Sequence, residues 1–393
     1  MSVLFIGGVF ANENQGEIIE NTKGYAEFSA NIFQQKLIKG FEKNNIDITV
    51  ISAPFIASFP NRYKKMFFRG FKEKQNSYKY VKFNNIWGYR NFSRASALKR
   101  EIKTLVSSEN KKFDLILVYS AHEPFLEAAE YAKKLLPNTK ICFVVPDLPQ
   151  YMNLDSNKTK IYDILKKFDI KRMNRLIRNV DSFVILTEHM KTMLDVNERP
   201  YFVAEGIVEA MPEADFKYTT NRDGTKNIVY AGKMNEAFGL KDLIDAFTEL
   251  DGENYRLVLC GDGDAKEYVL QKAEVDLRID YKGQVPPDIA KEIIDNASVL
   301  VNPRPNDSEY TKYSFPSKNI EYLMSGKAVV AYMLDGMPER YSEFIYKINS
   351  KDSIKDALLS ALNSDNTEKY KAFIDYASKN LVAKSIVEKI MKL

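Results

Sequence analysis

Two charged residues three positions apart open the chemistry of this sequence. Phe315-Pro316-Ser317-Lys318-Asn-Ile-Glu321 reads as the start of a helix, and that spacing puts Lys318 and Glu321 on one helical face. A helix N-terminus with free backbone N–H groups and a lysine suits a phosphate, while a carboxylate accepts hydrogen bonds from vicinal hydroxyls. A ligand that carries both groups is a nucleotide sugar. The run Val299-Leu-Val-Asn-Pro-Arg304 ends an apolar strand before this helix, and Gly326 stops the helix before the strand Ala328–Ala331. Lys233 follows Gly232 at another strand end, where a phosphate could reach it, and the null is one surface lysine among many.

Other candidates are weighed singly. His122, one of two histidines, sits at a strand end, where a neutral imidazole could bond a sugar hydroxyl or help it lose a proton. A histidine that merely packs a loop is an equal reading. Asp147 in Val145-Pro-Asp-Leu-Pro149 could contact a sugar or cap a turn. His189 is read as structural. Gly7-Gly8 and Gly261-Asp-Gly263 are each weak alone, and the Gly-x-Gly-x-x-Gly spacing of nicotinamide folds is absent from the first turn.

These residues need a frame. In 393 residues, β-rich apolar runs alternate with helical patterns twice over. Strands are expected at 3–6, 48–51, 115–119, 140–145 and 182–187, then at 227–230, 256–260, 279–282, 299–302 and 328–332. Helices fit about 25–43, 94–107, 124–136 and 163–178, with more between the later strands. Two doubly wound α/β domains follow, 1–208 and 209–365, with a polar linker at 209–225 and a helical tail at 366–393 expected to pack on the first domain. Ligands of such sheets bind beyond the carboxyl ends of the strands. Cys142 and Cys260 lie in apolar runs and read as buried thiols of a reducing compartment.

The net charge of +4 conceals an asymmetry. Between residues 61 and 103 thirteen bases face only Glu73 and Glu101, an excess of eleven that leaves −7 for the rest. Within that stretch, Arg62, Lys64, Lys65 and Arg69 interleave with Phe67 and Phe68. Bases favour anionic headgroups and rings favour the membrane interface, so peripheral docking is one expectation. A solvated basic helix with its apolar side packed inward is the null, and nucleic-acid binding ranks below both. No run is long enough to span a bilayer, and the apolar start is too short for a signal sequence, so a cytoplasmic protein is expected.

In register, four segments resemble family-four glycosyltransferases of the GT-B fold: Ile228–Lys233 with Gly239–Phe247, Leu257–Gly263, Tyr281–Val285, and Phe315–Val330. The last is similar to the donor helix of enzymes of bacterial capsule and exopolysaccharide assembly. The resemblance implies two Rossmann-like domains facing a central cleft. It also implies a donor site at Gly232, Lys233, Gly261, Gly263, Gly283, Gln284, Val285, Arg304, Phe315, Pro316, Ser317, Lys318 and Glu321, and transfer with retention. Gly283–Val285 would face the nucleobase and Glu321 the ribose. Gly7, Gly8 and Gly24 resemble the acceptor loop, and His122 and Asp147 lie where the family places residues near the reacting sugar. Two positions depart from the pattern: Tyr313 replaces an expected glutamate, and Phe238 the second phosphate lysine, for which Lys318 or Lys241 could substitute.

The expectation is therefore a hexosyltransferase moving sugar from a nucleoside diphosphate to a hydroxyl of a lipid-linked saccharide at the inner face of the membrane. Neither cofactor nor metal is expected, because positive side chains stand where a cation would. A nucleotide-sugar epimerase or a non-catalytic binding partner is the alternative.

Overall fold

The computed structural model describes residues 1–24, 28–71, 78–148, 170–212 and 224–393. The chain folds into two compact units, Met1–Ala210 with Asn380–Leu393, and Met211–Lys379. Most of the expected linker, at 213–223, lies outside the described residues, as do the starts of the helices expected at 25–43 and 163–178.

In the first unit the strands are β1 (Ser2–Gly7), β2 (Asp47–Ser52), β3 (Phe67–Phe68), β4 (Tyr78–Tyr80), β5 (Phe83–Asn84), β6 (Leu115–Tyr119), β7 (Lys140–Val145), β8 (Ser182–Ile185) and β9 (Tyr201–Val203). Its helices are α1 (Gln15–Asn21), α2 (Ser29–Lys43), α3 (Arg90–Lys103), α4 (Glu123–Leu135), α5 (residues 170–177) and α6 (Met190–Met193). Seven strands form one parallel sheet in the order β4-β2-β1-β6-β7-β8-β9. Val3–Ile6 and Ile116–Val118 are completely buried, as expected of strands covered by helices on both faces.

The second unit repeats the plan with β10 (Lys226–Ala231), β11 (Tyr255–Cys260), β12 (Ile279–Gly283), β13 (Val299–Asn302), β14 (Ala328–Tyr332) and β15 (Tyr346–Ile348). Their order, β12-β11-β10-β13-β14-β15, is again wholly parallel. The helices are α7 (Leu240–Thr248), α8 (Lys266–Val275), α9 (Pro287–Asp295), α10 (Ser317–Met324), α11 (Ile354–Asn363) and α12 (Thr367–Asn380). Leu243, Ile244 and Phe247 of α7 join Leu358 and Ala361 of α11 over the sheet. The 366–393 stretch divides between the units: most of α12 belongs to the second, and α13 (Ala383–Ile390) to the first. There Val382 bridges to Val208, and α13 buries Ala383, Ile386, Val387 and Ile390 against Leu37, Ile38 and Phe41 of α2. Gly40 makes that approach possible, because a Cβ there would stand 2.7 Å from the Ala383 carbonyl oxygen.

In each sheet the chain winds outward from one strand in both directions, from β1 toward β2 and β6, and from β10 toward β11 and β13. The carboxyl ends of β1 and β6, and of β10 and β13, therefore flank the reversal points where such sheets open a crevice. In the basic stretch, residues 62–71 are not helical. They run through turns into β3, which pairs antiparallel with β5.

Candidate functional site

At the reversal point of the second sheet the backbone continues to pair after the strands end. Gly232 N–H donates to the Cys260 carbonyl at 2.9 Å, Met234 N–H to Asp262 at 3.0 Å, and Gly261 N–H to Gly283 at 2.8 Å. This closeness demands glycine. Gly261 has φ +139°, and a Cβ there would lie 1.8 Å from the Gly232 carbonyl oxygen; one on Gly263 would lie 2.3 Å from that of Met234. Gly239, at φ +73°, similarly admits the Pro303 carbonyl, so the turns after β10, β11 and β13 form one tight rim. Lys233 stands exposed on it. Gly283 ends β12 with φ +68° and nothing against it, followed by exposed Gln284 and half-buried Val285.

Helix α10 is fixed to the same rim by two buried polar groups that sequence reasoning missed. Tyr322, fully buried, accepts a hydrogen bond from the Ala231 N–H at 2.9 Å and lies 3.1 Å from the Ala231 carbonyl as donor. Ala231 ends β10, beyond its last pair with β13, so the phenol takes over where the ladder stops. Burial holds Tyr322 protonated, far above the usual phenol range. Asn319 accepts from Asn302, the last residue of β13, at 2.6 Å. The available signal was helical phase: a tyrosine on the apolar side of α10 needs a polar partner inside.

Phe315 and Pro316 are buried ahead of the helix, Phe315 edge-on to Tyr341 at 5.1 Å, while Ser317 is exposed at its first turn. Lys318 and Glu321 do meet, at 2.9 Å and in reach of solvent. Such an exposed pair contributes about 0–1 kcal/mol, so it yields readily to a ligand with both charges to offer. Arg304 lies over the rings of Phe238 and Tyr310, at 5.4 and 4.7 Å, with its Nε enclosed and unpartnered. Phe238, which departs from the family pattern, is thus a platform for a guanidinium. Lys241 is engaged with Glu236 at 2.7 Å.

The corresponding edge of the first sheet is differently built. Gly7 and Gly8 are buried; the Gly8 N–H donates to Gln34 Oε1 at 2.9 Å, and a Cβ on Gly8 would strike the Phe55 ring at 2.5 Å. These glycines admit packing partners, and the Gly8 N–H is already used. Gly24 is exposed at φ +84° on a loop of its own. His122 caps α4 and lies 5.0 Å from the Phe125 ring, with Nε2 at 3.2 Å from Nη1 of Arg94. A guanidinium only donates, so Nε2 is the acceptor and the proton sits on Nδ1. Burial, then the charges of Arg94 and Arg90, hold the imidazole well below its ordinary pKa and therefore neutral. Asp147 is exposed after β7, and its charge helps to raise the buried Tyr119 phenol, for which burial is the larger cause.

Of the residues expected to dock on a membrane, Arg62, Lys64, Lys65, Phe67 and Arg69 are exposed, with Lys65 paired to Glu17 at 3.1 Å. Phe68 is a correction. It is 6% exposed and packed on Phe71 and Phe83 at 5.0 and 5.1 Å, because alternate residues of β3 point to opposite faces. Lys65, Phe67, Phe68 and Arg69 border a cavity of about 360 Å³ that Glu17, Tyr63 and Met66 also line. No helix among the described residues is long and apolar enough to cross a membrane. Burial raises the Cys142 thiol to about 12 and Cys260 to about 11, so both remain protonated thiols.

Residues 225–364 match the family model described as Glycosyl transferases group 1. Among solved structures, the chain is similar to the lipopolysaccharide outer core galactosyltransferase WaaB, with 13% identity, a TM-score of 0.61, and coverage of 100% of this chain and 99% of that one. The sucrose-phosphate synthase of Thermosynechococcus elongatus matches at 13% identity and a TM-score of 0.63, over 100% of this chain and 98% of that one. Anabaena HepE in complex with UDP matches at 12% identity and 0.61, over the whole of both chains. No curated protein sequence matches. At these identities the structures establish the shared two-domain α/β fold.

Proposed function

We propose that this chain, whose residues 225–364 match the model described as Glycosyl transferases group 1 and whose fold is that of a solved galactosyltransferase, is an enzyme that moves a hexose from a nucleoside diphosphate to a saccharide hydroxyl, with retention and without a metal. The observation that carries this reading is the reversal point of the second sheet. There a glycine-tight rim presents Lys233 while Tyr322 and Asn319 fix the helix bearing Lys318 and Glu321 to the adjoining strand ends. HepE, which binds UDP in its solved complex, supports a uridine nucleotide as the first ligand to try.

Each group has a role in this proposal. Lys233, Lys318 and the N-terminus of α10 stabilise the charge that develops on the diphosphate as the anomeric carbon–oxygen bond breaks. Arg304, fixed over Phe238, adds a cation at the end of β13. Glu321 leaves Lys318 to accept from the ribose hydroxyls, and Gly283, Gln284 and Val285 flank the base. The acceptor hydroxyl oxygen forms the new bond to the anomeric carbon, and its proton passes to the oxygen of the departing diphosphate. His122 is held neutral with Nε2 occupied, which suits it to donate from Nδ1 to a sugar hydroxyl and not to act as the base. A lipid-linked saccharide of a surface polysaccharide is the proposed acceptor. The exposed bases at Arg62, Lys64 and Arg69 support contact with an anionic membrane.

Thermal unfolding with UDP, GDP and dTDP tests the donor site, because a ligand of the native state raises Tm. One nucleotide is expected to raise Tm, and Lys233→Ala and Glu321→Ala to weaken its binding about 10-fold or more at unchanged ligand-free stability. A folded protein that responds to none of the three would overturn the reading.

A further inference from the structure

The first unit buries positive charge for which its described residues supply no negative partner. Arg94 is 1% exposed, donates from Nη2 to the Pro54 carbonyl at 2.7 Å and from Nη1 to His122, and lies 4.6 Å over the Phe83 ring. Its Nε is enclosed with no partner. One turn earlier Arg90 donates to the Ile56 carbonyl at 3.1 Å and keeps part of its surface open. Among the described residues no carboxylate pairs with either guanidinium. The acid that begins α4, Glu123, is paired with Arg172 at 2.5 Å.

Helix polarity adds to this excess. Arg90 is the first residue of α3, a helix of fourteen residues with no acid in its first turn. Helix N-termini favour acids, and arginines at this end add charge of the same sign. Neutral carbonyls and a ring share the burden, but a cation without a counter-charge still carries a desolvation penalty. An anion from outside would complete the arrangement. Pro54 and Ile56 follow β2 and His122 follows β6, so the two arginines bonded to them meet the chain at the carboxyl edge of the first sheet, where ligands of such sheets bind.

We infer that Arg90, Arg94 and His122 form an anion site in the first unit, and that its ligand is a phosphoryl group carried by the acceptor. Arg90 contacts the phosphoryl oxygens. Arg94 supplies charge from behind and holds His122 with its Nδ1–H free to donate. Naming the ligand an acceptor rests on the proposed function; the anion site itself does not. The phosphoryl group could belong to a free sugar phosphate or to a lipid diphosphate.

The test saturates the full chain with UDP, so that the donor site is filled, and then measures binding of a hexose phosphate and of a short prenyl diphosphate by calorimetry. Wild type should bind at least one: the hexose phosphate alone means a soluble phosphosugar acceptor, and the prenyl diphosphate alone a lipid-linked one. Arg90→Gln should weaken that binding by about tenfold or more, with Arg90→Lys between the two, as for loss of a charge-assisted hydrogen bond. Binding of neither ligand, or equal binding by Arg90→Gln, overturns the inference. Should Arg90→Gln fail to fold, phenylglyoxal labelling of unmutated protein decides the matter: the ligand must protect Arg90, and unchanged labelling overturns the site. Failure of the donor reading is seen separately, as no response to UDP in the first step.

Discussion

At the reversal point of the second sheet, glycines bring three backbone turns into contact and leave Lys233, Lys318 and Glu321 in reach of water. At the same point of the first sheet, a guanidinium is packed out of solvent against a half-buried imidazole, and the turn glycines face side chains. Strand order is the same over six strands of both sheets, the first adding only β9 at its edge, so topology does not decide what an edge can do. What decides it is which groups close the rim. Backbone closure keeps side-chain charges mobile and exchangeable, whereas side-chain closure fixes them and makes them sensitive to protonation.

The sharpest way to break this contrast is to give the second rim a side chain. Gly261→Val places carbon atoms within the van der Waals radius of the Gly232 oxygen at a φ that valine avoids. It should destabilise the second unit by about 3 kcal/mol or more and abolish the nucleotide response. Denaturant unfolding checks it, and wild-type stability would refute backbone closure. Tyr322→Phe removes only the hydroxyl that bonds both the N–H and the carbonyl of Ala231. A buried N–H left without a partner predicts a loss of about 1–3 kcal/mol, together with weaker nucleotide binding as α10 loosens.

The smallest effect belongs to the first unit. His122 has a folded pKa depressed below the ordinary 6.5, so as pH falls below that value the unfolded chain binds a proton that the folded chain refuses. Stability present above the unfolded pKa is then lost, at up to about 1.4 kcal/mol per pH unit, until the folded value is reached. His122→Gln should flatten the stability profile below pH 6.5 relative to wild type. Identical slopes would mean that burial and the neighbouring arginines do not depress the imidazole.

Much of this frame was legible because parallel strands buried on both faces leave continuous apolar runs, as in Val299–Val301 and Ala328–Ala331. Short edge strands such as β4, β9 and β15 were not, since three residues carry too little pattern to register. The segment around Phe68 was missed for a related reason: alternation over two residues cannot be told from a helical face. The Lys318–Glu321 pair followed from helical spacing alone. Arg94 did not, because a buried arginine in a basic stretch reads as one more surface charge until its neighbours are known. Tyr322 was hidden likewise, as its partner is backbone from 91 residues earlier.

One consequence concerns the order in which the protein is made. Helix α13 completes the packing over α2, yet the ribosome reaches it only after residues 211–379. During synthesis the apolar faces of Leu37, Ile38 and Phe41 must therefore wait, uncovered or held by a chaperone, while the second unit can already close. A fragment ending at Ala210 would keep that exposed stripe permanently and should aggregate, whereas the same fragment supplied with a peptide spanning residues 380–393 should become soluble.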